Sequence, residues 1–392
     1  MYTILTSFTT QGCGNVGDKL IEVALKDILK KERGETEFLT LFRENDITDH
    51  IPEINKTKAV LLQACPVRDV PIYPGVYRLT PRLEDIKVPI ISAAANWNVY
   101  PGDFYDRERI CYSRETTDFL LYISSQHEYF SVREHFTGRI IKKHGVKNVI
   151  MTGCPTWYNE RYMGKPMSRP DRIKRVVFTP PMSFCYTDQA IGILRMLARI
   201  FKDADRICCF ICGDSKTTPL KNGETGDNSV AMNPEAAEKN ERIGKEAEKL
   251  GFRLILASHD IENLNFIDEC DLHVGYDCHG SISFLRRRKP SVMIAEDARG
   301  VGFIYTLGLP EFHGFIRSQY QTGQYTRPSN TSGYCDSLAT YSIAAADASL
   351  AQRLGEFLEE QISNRFIRFS GVAQLIDDAY ERAMKPFIHS LP

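Results

Sequence analysis

Two segments of the chain carry residues whose types and spacing suit chemistry. The first is Gly12-Cys13-Gly14-Asn15-Val16-Gly17-Asp18, between an apolar run and a helical pattern. Glycines let backbone N–H groups approach an anion, and the N-terminus of a following helix adds a favourable dipole. Gly12, Gly14 and Gly17 fit a G-x-G-x-x-G spacing only weakly, and no Gly-Lys-Ser/Thr follows to make a Walker A loop. The plain alternative is a tight βα turn with Asp18 as the helix N-cap. The second segment is Asp271-Leu272-His273-Val274-Gly275-Tyr276-Asp277-Cys278-His279-Gly280. Strand alternation would put Asp271, His273, Asp277 and His279 on one face, a set suited to a borderline or hard cation. The strand pattern ends near Tyr276, however, which breaks that register. His279-Gly280 then falls where a strand gives way to a helix, in the crevice where open parallel sheets bind ligands. A histidine there either moves protons or simply caps the helix.

Four further clusters stand out. Glu296-Asp297-Ala298-Arg299-Gly300 follows an apolar run and faces the same crevice as His279. Arg133, in Val132-Arg133-Glu134, either grips a carboxylate or phosphate bidentately or pairs with a nearby acid such as Glu134. Cys209 and Cys212 make a C-x-x-C without a second one to complete a zinc site, so they read as buried small hydrophobes. Arg286-Arg287-Arg288-Lys289 reads as a solvated, favourable charge at a helix C-terminus, with an anion- or membrane-binding role as the other option.

The elements that must position these residues are legible as alternating patterns. Apolar runs lie at 2–8, 59–62, 88–95, 119–123, 130–132 and 148–152, with helical spacing at 20–29 and 135–143. A polar stretch, 161–174, reads as a linker. The pattern restarts with strands at 175–179, 206–213, 252–257, 272–276 and 291–295, separated by helices at 187–200, 234–250, 261–269 and 280–287. A loop is expected over 216–231, and a long aromatic, irregular stretch over 310–336. Helices at 346–362 and 371–385 close the chain. Strands alternating with helices predict an α/β fold with largely parallel sheets. Expected domains are residues 1–170, 171–345 and a helical tail, 346–392, that packs back on both.

Composition sets the class. The 392 residues carry 49 Lys+Arg against 50 Asp+Glu, which argues against a dedicated nucleic-acid binder. No run approaches the roughly 20 apolar residues of a membrane span, and the N-terminus shows no signal-peptide pattern. Eleven scattered cysteines suit a reducing compartment. The expected location is cytoplasmic.

Four blocks in order give the sequence a resemblance to the polysaccharide pyruvyl transferase family. They are Gly14-Asn15-Val16-Gly17-Asp18, then Phe130-Ser131-Val132-Arg133-Glu134 with Gly153-Cys154-Pro155, then Asp271 to Gly280 ending in His279, and Lys289-Pro290 leading to Asp297 and Arg299. The resemblance implies a GT-B-like architecture, two Rossmann-like domains facing a cleft. It implies transfer of a pyruvyl group from phosphoenolpyruvate, as co-substrate and without a further cofactor or metal, to a sugar hydroxyl pair in surface polysaccharide (exopolysaccharide) biosynthesis. On that reading His279 is the acid/base, with Asp18 in the catalytic set. Gly14, Asn15, Gly17, Arg133, Asp277, Gly280 and Arg299 are expected on the donor side. The acceptor is a saccharide or lipid-linked saccharide, which would bring the enzyme to a membrane surface without a span; the aromatics Phe315, Tyr320, Tyr325 and Tyr334 either stack on sugar or pack in the fold. One departure matters: Asp277 stands where the family has an arginine, and an aspartate would repel a phosphoenolpyruvate carboxylate. Asp277→Arg is therefore expected to strengthen donor binding. Either Arg133, Arg286 or Arg299 grips the donor, or the donor differs. The alternatives are a GT-B glycosyltransferase with a nucleotide-sugar donor and a non-catalytic saccharide-binding relative.

Overall fold

The computed structural model describes residues 1–9, 14–67, 71–211, 234–317 and 344–392. The first half is built on a parallel sheet of β1 (Tyr2–Thr6), β2 (Phe38–Phe42), β3 (Val60–Gln63) and β4 (Ile90–Ala93), in the order β2-β1-β3-β4. An Ala95–Val132 bridge continues it to the parallel pair β5 (Phe130–Val132) and β6 (Val149–Met151). β1, β3 and β4 are buried along their whole length, which is why they read as unbroken apolar runs rather than alternating ones. Helix α1 (Val16–Arg33) presents Leu20, Ile21, Ala24, Leu25, Ile28 and Leu29 to the core. It ends at Gly34, whose φ of 70° makes a left-handed C-cap.

Two expectations fail here. The apolar run 119–123 is not a strand but the buried face of helix α2 (Arg114–Ser124), N-capped by Ser113. Five apolar residues alone do not distinguish a buried strand from one helical face. The cap of α1 is Asn15, whose side chain accepts from Gly17 N, and not Asp18, which sits inside the first turn.

The second half is one six-stranded parallel sheet. Its strands are β7 (Arg175–Thr179), β8 (Asp205–Phe210), β9 (Arg253–Leu256), β10 (Leu272–Gly275), β11 (Ser291–Ala295) and β12 (Phe312–His313), in the order β9-β8-β7-β10-β11-β12. This is the Rossmann order, and the first half follows the related flavodoxin-like order. Each order reverses at one point, between β1 and β3 and between β7 and β10. The intervening helices are α3 (His135–Lys143) in the first half and α4 (Thr187–Ile200), α5 (Pro234–Lys249), α6 (Cys278–Leu285) and α7 (Ala298–Leu307) in the second. The segment Ile261–Glu269 is a 3₁₀ helix rather than an α-helix. The loop over 216–231, Cys212, and the aromatics Tyr320, Tyr325 and Tyr334 lie outside the described residues. Phe315 is buried and stacks on His313 at 5.0 Å, so it packs in the fold.

After α8 (Leu350–Ser363), the closing helices cross back to the first half. Tyr2 Oη donates to the Pro392 carbonyl at 2.6 Å, and Arg33 donates to the carbonyls of His389 and Pro392 at 2.9 Å. The basic run 286–289 is not solvated. Arg287 pairs with Asp268 at 2.7 Å, Arg288 pairs with Asp377, and Lys289 donates to the carbonyls of Ile267, Asp268 and Cys270. Carbonyls left over at neighbouring 3₁₀ and helix ends draw these cations inward.

Candidate active site

The two halves meet through their strand carboxyl ends. His259 N donates to Gly14 O at 2.6 Å, Ala298 N to Val99 O at 2.9 Å, and Arg317 Nε to Asp103 Oδ2 at 2.6 Å. A cavity of about 200 Å³ lies between them, lined from both sides. Ser7 follows β1, Arg43 follows β2, Ala64 and Pro66 follow β3, Asn96 follows β4 and Arg133 follows β5. From the second half come Met182 after β7, Tyr276 to His279 after β10, and Glu296, Asp297 and Arg299 after β11. Both topological switch points, where such sheets bind ligands, therefore open into one space.

Of the expected site residues, Asn15, Asp18, Arg133, Asp277, His279 and Arg299 line this cavity. The expected glycines are not lining residues. A Cβ on Gly17 would fall 1.8 Å from His279 Nδ1, so this glycine exists to let α1 touch the histidine. Gly14, with φ of 46°, lies against the His259 ring, and Gly280 packs against Thr179 behind the wall. Gly12 is outside the described residues. Arg286 lies at the far end of α6 and lines a different cavity.

Each charged group has a defined setting. The His279 imidazole is 6 % exposed and makes no hydrogen bond with the described residues. Burial, reinforced by the charges of Arg133 and Arg299, pushes its pKa down to about 3, so it is a neutral ring at pH 7. Arg133 stacks on the Phe303 ring at 5.0 Å, and its buried Nε has no partner among the described residues. It does not pair with Glu134, which is spent capping α3 by accepting from Phe136 N and Thr137 N. Arg43 likewise keeps a buried Nε without a partner. Arg299 grips Asp297 Oδ2 through Nε at 2.9 Å and Nη2 at 2.5 Å. Burial would raise the Asp297 pKa, but the guanidinium outweighs it and keeps the carboxylate ionised.

The acids divide into two kinds. Asp277 Oδ1 accepts from Gly280 N at 2.8 Å and is the N-cap of α6. It therefore serves the helix on which His279 rides, and His279 is not the cap. Asp18 accepts from Ser7 Oγ at 2.9 Å, and burial raises its pKa against the pull of Arg43 and Ser7. Glu296 accepts from Met182 N at 2.8 Å and Ser183 N at 2.9 Å. Burial and the neighbouring Asp297 charge push its pKa up to about 7. Behind it, the buried Lys239 ammonium donates to the carbonyls of Pro181 and Met182, and burial lowers its pKa to about 8.

Metal chemistry finds no cluster here: no group of three or more His, Cys, Asp or Glu among the described residues is arranged to hold an ion. The alternation that would have joined His273 to His279 stops with β10 at Gly275. His273 instead hydrogen-bonds Thr179 and Ser291 at 2.8 Å in the core. No helix among the described residues is long and apolar enough to cross a membrane.

Sequence reading missed Arg43, Asn96, Asn98, Tyr100 and Lys239. Arg43 was findable, as the first charged residue after a strand. Lys239 was not, because it follows a long gap in sequence and reaches the site from behind.

The fold and cavity define an α/β protein of two Rossmann-like halves sharing one polar site. The chain belongs to the polysaccharide pyruvyl transferase family, a family of transferases, whose model matches residues 15–298. No curated protein matches it in sequence. Among solved structures, it is similar to HepE of Anabaena in complex with UDP and glucose, at 10 % identity over 100 % of both chains with a TM-score of 0.46. It is also similar to the wall teichoic acid polymerase TagF, at 11 % identity over 99 % of this chain and 87 % of that one, TM-score 0.43. A glycosyltransferase from Rickettsia africae gives 13 % identity over 100 % and 99 %, TM-score 0.38.

Proposed function

We propose that this protein transfers a pyruvyl group from phosphoenolpyruvate to two hydroxyls of a saccharide, releasing inorganic phosphate. The observation that carries this reading is a neutral imidazole, without a hydrogen-bond partner among the described residues, in the field of two arginines inside a small cavity. A trianionic donor needs cations; Arg133 and Arg43 supply them. The cavity's about 200 Å³ is below the roughly 300–1,000 Å³ of pockets that enclose larger organic ligands. A space of this size accommodates a donor as small as phosphoenolpyruvate.

Ketal formation joins two sugar oxygens to C2 of the donor and breaks the C2–O bond to phosphate. One hydroxyl proton ends on the methylene carbon, which becomes a methyl, and the other leaves with phosphate. His279 accepts a hydroxyl proton as general base. Its Nδ1 side is packed on Gly17, which leaves Nε2 for the substrate. Glu296, holding its proton up to about pH 7, is the acid toward the methylene carbon. Environments that push two titratable groups apart in this way assign acid and base. No separate cofactor is needed, and an acceptor carried on a lipid would bring the enzyme to a membrane surface.

Asp277 in place of an arginine is the observation that favours a nucleotide-sugar donor instead. Thermal-shift titrations separate the readings. Stabilisation by phosphoenolpyruvate, lost in Arg133→Met, is the expected result. Stabilisation by UDP- or CDP-sugars alone overturns the pyruvyl reading.

A further inference from the structure

A second cavity, of about 490 Å³, lies further along α1, between it, the segment at Tyr158–Met163, the end of α6 and Tyr380. Arg286 lines it. This arginine is 9 % exposed, its Nε is buried without a partner, and its guanidinium makes no hydrogen bond or ion pair with the described residues. Arg287, Arg288 and Lys289 each make at least one ion pair or hydrogen bond, although Arg288 Nη1 also lacks a partner among the described residues; Arg286 makes none with them. Leaving a buried guanidinium unpaired costs far more than pairing it. Burial accordingly lowers its pKa to about 10, with Asp27 offsetting only part of that.

The walls fit a small organic anion. The Tyr158 and Tyr380 rings sit 5.0 Å apart by centroid, and both hydroxyls are already committed, to Thr152 O and Glu32. Both rings are buried and Lys31 Nζ lies over the Tyr380 ring at 5.3 Å, so they wall the cavity without offering a donor. Lys30 adds a second cation on the rim. Asp27 and Glu160 also line the cavity, and Glu160 already faces Lys31 at 3.8 Å. Arg286 stands free for an incoming oxyanion, which it can meet bidentately.

We propose that this cavity is a second ligand site, taking a sugar-sized molecule that bears a phosphate or carboxylate, with Arg286 as its anchor. The site is separate from the central cavity but touches the same two helices. α1 and α6 meet at Gly17 and His279, and Asp27 and Arg286 lie about 15 Å and 10 Å further along them at 1.5 Å per residue.

Isothermal titration calorimetry on the full chain tests this, with glucose 1-phosphate, glucuronate and neutral glucose as probes. One or both anions should bind saturably and glucose should not; which anion binds tells phosphate from carboxylate. Arg286→Met should weaken that binding by roughly tenfold or more, and Lys30→Ala by less. Lys30 is exposed, so the second variant folds even if the first does not. Arg133→Met should leave it unchanged. Binding that survives Arg286→Met and Lys30→Ala but is lost in Arg133→Met belongs to the central cavity and overturns the proposal. So does an absence of saturable binding by either anion.

Discussion

Gly17 and His279 occupy the same volume as far as any larger residue is concerned: a Cβ on Gly17 would stand 1.8 Å from Nδ1 and 2.1 Å from Cγ of the imidazole. The contact joins the first turn of α1 to the first turn of α6, and so one half of the molecule to the other. Helix propensity alone favours Gly17→Ala by up to about 1 kcal/mol. The contact predicts the opposite sign, a loss of about 1–3 kcal/mol from overpacking, together with a large fall in kcat as the ring is displaced. Urea denaturation decides it, since a variant as stable as wild type means the ring does not pack on that glycine.

Asp277 gives a second prediction. The sequence expectation was that Asp277→Arg strengthens donor binding by replacing repulsion with attraction. The carboxylate turns out to cap α6 through Gly280 N, so arginine there also removes a cap worth about 1 kcal/mol. Asp277→Asn keeps the cap and deletes only the charge. We expect Asn to bind phosphoenolpyruvate more tightly than wild type with an unchanged melting temperature, whereas Arg loses stability. A calorimetric Kd that is no tighter in the Asn variant shows that the donor does not feel this position.

These two residues also mark what the sequence could and could not reveal. The α/β pattern was legible wherever one element carried its own period: the helix at 187–200 and the strand at 291–295 fall where the apolar spacing put them. Position at strand carboxyl ends found His279, Arg133, Glu296 and Arg299, because open parallel sheets bind ligands there whatever the sequence between. What failed was everything decided by a partner far along the chain. Asn15 and Asp18 are both competent caps, and only the turn geometry chose between them. The glycines looked like an anion cradle, yet Gly17 is small because of a histidine 262 positions later in the chain. The cations at 287–289 looked solvated because carbonyl and carboxylate partners lie in other elements.

Burial of His279 predicts acid sensitivity. Its folded pKa of about 3 lies below the unfolded value near 6.5. Below pH 6.5 the unfolded chain therefore binds a proton that the native ring refuses, and stability falls as pH falls toward 3. At pH 5 the cost is about 2 kcal/mol. His279→Gln removes it, so its stability relative to wild type should improve by that amount between pH 7 and pH 5. Other acid-sensitive groups, His273 among them, remain in both proteins and cancel. A constant difference across that range would show that the ring titrates normally in the native state.

Glu296 and Lys239 make the last prediction kinetic. If Glu296 delivers its proton during transfer, kcat/KM for wild type should fall about tenfold per pH unit above roughly pH 7, where the carboxyl ionises. Glu296→Gln should lower the rate and erase that limb. Lys239 touches no lining residue's reactive atom; it holds the carbonyls of Pro181 and Met182, and its charge pulls the Glu296 pKa down. Lys239→Met removes that pull, so the limb should move to higher pH while persisting in shape. A purely structural lysine would lower the rate at every pH and leave the limb where it was. A limb that stays put in Lys239→Met and survives in Glu296→Gln would assign the acid to another group.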